Sequence, residues 1–154
     1  MNILPVEASL LNMIKKETAW LKTEHKRAED YLRAEKVDHL GVGDHPAFHV
    51  WPYLALWAVQ SKSNPGWVGW WVITGDLPCD YISSSEGRHP RVALRAFARH
   101  WSEASGCMLK GEAHPTCRIG TPEQWPELGE LLRARAKILQ RYADDDELWK
   151  EPAH

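Results

Sequence analysis

From Glu7 to Lys36, apolar side chains recur every three or four residues. Leu10, Ile14, Leu21, Ala28 and Leu32 fall on one stripe, with Met13, Trp20 and Tyr31 beside it, and charged residues fill the other faces. This period, with no proline or glycine inside it, predicts one long amphipathic helix. The stretch Gly41-Val42-Gly43-Asp44-His45-Pro46 then breaks the pattern and reads as a loop. The next segment, Tyr53 to Val59, is apolar nearly all round. Its length permits a buried helix or a buried strand; Pro52, which suits a first helical turn, favours the helix.

Asn64-Pro65-Gly66 is a turn, because proline presets φ and glycine accepts positive φ. After it, Trp67 to Thr74 is the best strand in the chain, rich in aromatic and β-branched residues. Alternation sends Trp70 and Val72 to one face and Trp71 and Ile73 to the other. Both faces are apolar, so helices are expected to cover both. Gly75-Asp76-Leu77-Pro78 ends the strand.

Pro90 opens a further helix with the stripe Leu94, Phe97, Ala98, Trp101 and Ala104, and Gly106 is a natural stop. An extended piece at Cys117-Arg118-Ile119 is expected to pair with the tryptophan strand. Thr121-Pro122-Glu123 has the form of a helix start. The last helix follows Trp125-Pro126 and buries Leu128, Leu131, Leu132, Ile138, Leu139 and Tyr142. No repeat or low-complexity linker interrupts the chain. The expectation is a single α+β domain over 1–154, mostly helical, its ends fraying at about 1–5 and 150–154. Four helices would pack around a short Trp-rich antiparallel sheet of two or three strands.

Composition narrows the function classes. Nine of 154 residues are tryptophan, and the formal charge is −2. No basic field offers itself to a phosphate backbone, so nucleic acid is not an expected partner. Cys79, Cys107 and Cys117 are odd in number and lack the spacing of a zinc or redox site. Such a set suits a reducing compartment. Neither a signal peptide nor an apolar run of about 18 residues is legible. The expected protein is therefore cytoplasmic, with no membrane partner.

The densest constellation lies where the tryptophan strand ends: Trp70, Trp71, Gly75, Asp76, Pro78, Asp80 and Tyr81. Two carboxylates there could hold a hard metal or act as acid and base. In a proline-containing turn they more often bond backbone amides, and that structural role is the expectation. Arg135 falls in the middle of the last helix's apolar stripe. A guanidinium so placed must be paired or must reach water, and Asp76 or Asp80 is the expected partner.

His45, His89 and His114 each precede a proline and read as loop residues rather than metal ligands. No nucleophile has an evident base, and no phosphate-cradling glycine run occurs. No catalytic residue, metal or cofactor is expected. Most tryptophans sit at core periodicity, whereas Trp51, Trp125 and Trp149 flank loops or ends and are candidates for contact with a partner. Asp144, Asp145, Asp146 and Glu147 oppose the dipole of the helix they end, a local cost that a basic partner would relieve.

The block from Leu54 to Trp101 contains Leu56-Trp57-Ala58-Val59, Gly69-Trp70-Trp71, Gly75-Asp76-Leu77-Pro78, Asp80-Tyr81-Ile82 and His89-Pro90-Arg91. It resembles a bacterial family known as a domain of unknown function, DUF4826. The likeness continues weakly through Pro122 and Trp125 to Arg135, and Cys79 departs from the small polar residue expected there. The resemblance implies no activity, catalytic residue or cofactor. The expected function is non-catalytic protein binding, specifically an immunity protein neutralising a bacterial toxin through the acidic run. The alternatives are a small metal-dependent hydrolase or nuclease using Asp76 and Asp80, and a homodimeric structural module built on the loop tryptophans.

Overall fold

The computed structural model describes residues 4–117 and 119–150. Among them are three α-helices, not four: α1 (Pro5–Ala34), α2 (Pro90–Leu109) and α3 (Trp125–Asp144). Five strands replace the expected two or three: β1 (Gly41–Val42), β2 (Phe48–Val50), β3 (Leu54–Gln60), β4 (Val68–Gly75) and β5 (Asp80–Ser83). The fold is α+β. It divides into two compact units, one running to Tyr81 and one from Ile82 onward.

The sheet order is β1-β3-β4-β5, with β2 also paired to β3. β3 pairs antiparallel with β1, β2 and β4. The segment from Tyr53 to Val59, expected as a helix, is this central strand. Pro52 lies in the turn joining β2 to β3, where Val50 pairs with Leu54 and the Tyr53 amide donates to the Val50 carbonyl at 2.7 Å. Leu54, Ala55, Leu56 and Trp57 are fully buried. A strand with partners along both edges and cover on both faces has no polar face to display, so it carries no alternation to distinguish it from a buried helix.

α1 covers one face. Ala28 and Leu32 pack with Val42, Ala55, Trp57, Val59 and Val72, flanked by Trp20, Tyr31, Trp70 and Tyr81. Trp70 and Val72 thus share a face, as alternation predicts, and Trp71 and Ile73 are buried on the other. Trp57 and Thr74 satisfy each other, the indole Nε1 donating to Oγ1 at 3.1 Å. The stripe of α1 is buried only in its C-terminal half. Leu10, Met13 and Ile14, expected in the core, are exposed, because the sheet contacts the helix only beyond them.

In the second unit α2 and α3 form a tight pair. α3 buries Gly129, Leu132, Ala136, Leu139 and Ala143. Spacings of three and four keep these on one face, and a small residue every seventh position lets the helices approach closely. Leu128, Leu131, Ile138 and Tyr142, expected in the core, sit at the margins of that face. α2 contributes Leu94, Phe97, Trp101 and Met108 and runs through Gly106 to Leu109. The strand expected at 117–119 does not form at Cys117 or Ile119; Arg118 lies outside the described residues. No helix among the described residues is long and apolar enough to cross a membrane.

Candidate functional site

Two places concentrate polar chemistry, one in each unit. The first is the exit of β4. Gly75 takes φ +133°, and the Asp76 amide donates to the Tyr53 carbonyl at 2.8 Å. The guanidinium that grips this turn comes from α1. Arg27 Nη1 donates to both carboxylate oxygens of Glu24 at 3.1 Å and to the Gly75 carbonyl at 3.0 Å. Its Nη2 lies 3.4 Å from Cys79 Sγ. Glu24 is only 4% exposed, so Arg27 supplies the partner a buried carboxylate requires.

The chemistry available at this turn is limited by its surroundings. Burial pushes the Cys79 thiol up more than the Arg27 guanidinium pulls it down, and the charges of Glu24 and Asp80 add to the rise. The thiol stays protonated and is a poor nucleophile. Burial also pushes up the Tyr31 phenol, with the Asp80 charge adding to it. The Tyr31 ring meets Tyr81 edge-on at 6.1 Å, and Tyr81 meets Trp70 at 5.8 Å. Asp80 Oδ1 accepts the Tyr81 amide at 2.9 Å, whereas Asp76 is exposed. Pro78 is half-buried in the turn between them. Among the described residues no group of three or more His, Cys, Asp or Glu side chains could hold a metal.

The second place is the α2–α3 pair. Its acidic end is held locally. Arg91 Nε donates to the Ala143 carbonyl at 2.7 Å, and its Nη2 to Asp146 at 2.6 Å. Arg95 reaches the same carbonyl at 3.4 Å and Asp144 at 3.5 Å. Asp145 Oδ1 accepts the Glu147 amide at 3.1 Å, and Lys150 donates to Glu147 at 2.7 Å. Cations at the C-terminus of α3 offset both its dipole and the acids beyond it. Trp149 donates Nε1 to the Tyr142 carbonyl at 2.9 Å and packs edge-on against His89 at 5.8 Å. Trp125 is half-buried at the first turn of α3, and Arg135 is half-buried on the same helix.

The Arg91 hydrogen bond, and then its charge, hold the Asp146 carboxyl below its ordinary value. A depressed carboxyl contributes stability above its unfolded pKa of about 3.9 and loses that contribution as pH falls through the lower folded value. Asp146→Asn should therefore be less stable than the parent at pH 7. The difference should shrink as pH falls through the lowered folded value, as read by urea midpoints across pH.

Further along the pair, α2 and α3 enclose an open groove of about 850 Å³. Small residues line it, Ala98, Ser102 and Gly106 from α2 and Ala136 from α3. Arg99, Lys110, Arg133 and Lys137 surround them, and Glu103 is the one acid in the lining. Arg99 lies 3.9 Å from Glu86, and Glu103 lies 3.8 Å from His114.

The model of the DUF4826 family, a domain of unknown function, matches residues 14–149. The chain belongs to this family. No curated protein and no solved structure matches it. In this DUF4826 chain Trp70 and Tyr81 join the packing under α1, and Gly75 and Asp76 make the turn that Arg27 grips.

Glu24 and Arg27 were not singled out from the sequence, although a signal existed. Glu24 lies on the α1 stripe between Leu21 and Ala28, where an acid must find a partner, the same reasoning that singles out Arg135. Arg91, Arg95 and the groove left no such signal, because they depend on how two helices face one another. Two of the histidines before prolines act in local structure: His89 Nδ1 accepts the Arg91 amide at 3.0 Å, and His114 Nδ1 accepts the Thr116 and Cys117 amides at 3.2 Å.

Proposed function

We propose that this chain is a non-catalytic protein-binding protein that seats an acidic segment of a partner in the α2–α3 groove. The supporting observation is the lining, in which four cations and one acid surround small residues on two helices. Small side chains leave room for a partner's backbone, and the cations select charge of the opposite sign. In its most specific form the partner is a toxin and the chain its immunity protein. The acidic end, where the Asp146 and Glu147 side chains are 82% and 76% exposed, would then add a second contact of opposite charge.

Co-expression with the products of adjacent genes should yield a complex that survives purification. Arg133→Glu combined with Lys137→Glu should weaken that complex roughly 10- to 100-fold at low salt. Added salt should shrink the difference, since these charges face solvent. A complex whose Kd is unchanged by the double reversal would exclude the groove as the binding surface.

A further inference from the structure

The first half of α1 carries apolar surface that its own unit does not cover. Leu4, Val6, Leu10, Leu11, Met13 and Ile14 are between 47% and 65% exposed. They are not scattered. At 100° per residue, Val6, Leu10, Met13 and Ile14 continue the stripe that Leu21, Ala28 and Leu32 follow over the sheet. Leu4 and Leu11 widen it on one side. The helix carries a core-forming face past the end of the core. Six contiguous side chains approach the several hundred Å² at which exposed apolar patches mark interaction surfaces.

The charges around the patch indicate its occupant. Glu7 stands at one end of the patch, in the first turn of the helix, and Lys15 stands at the other, both exposed. A second copy laid antiparallel, with a twofold axis near Leu11, sets Glu7 of each copy opposite Lys15 of the other. The same operation brings Leu10 and Leu11 close to their counterparts across the axis. A parallel pairing would set Glu7 against Glu7. The patch is thus complementary to itself under the symmetry that homodimers most often use.

We propose that the protein forms an antiparallel homodimer through the N-terminal half of α1. The proposed interface uses neither the loop tryptophans nor the residues that line the groove between α2 and α3. Its area is at the small end for a stable dimer, so self-association should be concentration-dependent in the micromolar range.

Sedimentation velocity on the full chain, from about 5 to about 200 µM, tests this directly. The parent chain should pass from monomer to dimer over that range. Leu10→Glu with Ile14→Glu should remain monomeric while keeping its far-ultraviolet dichroism and melting temperature, since both side chains face solvent. Glu7→Lys should weaken the dimer about tenfold, and Glu7→Lys with Lys15→Glu should restore it. A parent chain that stays monomeric at about 200 µM would overturn the proposal. So would a dimer that persists unchanged in the Leu10/Ile14 variant, or a charge exchange that fails to restore association.

Discussion

Gly75→Ala is expected to cost on the order of 3–5 kcal/mol of stability, among the largest effects available to a change of one methyl group. Two terms add. At φ +133° any side chain is strained. A Cβ at this position would also run into the Tyr53 carbonyl oxygen and the Leu54 Cα, both backbone atoms of the neighbouring strand that no rotamer change can move. Because Gly75 pairs with Leu54, relief would require opening the end of the β3–β4 ladder and lengthening the bond from the Asp76 amide to Tyr53. Gly66→Ala separates the terms, since φ is +89° there but a Cβ would meet nothing within 4 Å. That variant should lose only about 1 kcal/mol. Denaturant midpoints of the two variants, read with the parent's slope, check the difference; equal losses would mean that the close approach at Gly75 is not real.

Arg27→Met should lose about 2–3 kcal/mol in the same measurement. Removing one partner of a fully buried ion pair costs about 3–5 kcal/mol, because the remaining charge is left without compensation. The figure here is lower because the Arg27 side chain is 43% exposed, so water can reach part of the space it vacates. The loss still exceeds that of a surface pair, about 0–1 kcal/mol, because the Glu24 side chain is only 6% exposed and the same guanidinium holds the Gly75 carbonyl. Lys26→Met provides the contrast. Its bond to Asp30 at 3.0 Å lies in solvent, and its loss should be barely measurable.

The fold was legible in the sequence where one physical signal acted alone. α1, α2 and α3 each show a helical hydrophobic period, β4 stands out by its aromatic and β-branched residues, and the structure places all four within a few residues of where these signals do. β3 was not legible as a strand. It is buried on both faces, so the alternation that marks a strand is absent, and Pro52 gave a local helix signal that the β2–β3 turn explains instead. The two short strands β1 and β2 lie in a stretch of glycines and a His-Pro step, where pairing to β3 outweighs local propensity.

The site was legible in part. The residues at the β4 exit stood out because aromatic, glycine and acidic residues rarely cluster so densely. The hand that grips them, Arg27 from α1, stands 48 positions away from Gly75, and no spacing rule links them. In the sequence alone, the acidic run after α3 is a cost awaiting a basic partner. Arg91 and Arg95 of α2 meet much of that cost within the chain, which only the pairing of α2 with α3 reveals.

At the centre of this account stands the β4 exit as architecture clamped by the Glu24–Arg27 pair. A double-mutant cycle on that pair tests it most directly. Glu24→Leu and Arg27→Met are made singly and together, and their unfolding free energies are compared. The double variant should be more stable than the sum of the single losses implies, with a coupling above about 1 kcal/mol, since removing both charges leaves neither one buried alone. Strictly additive losses would show that the two side chains do not depend on each other, and would contradict it.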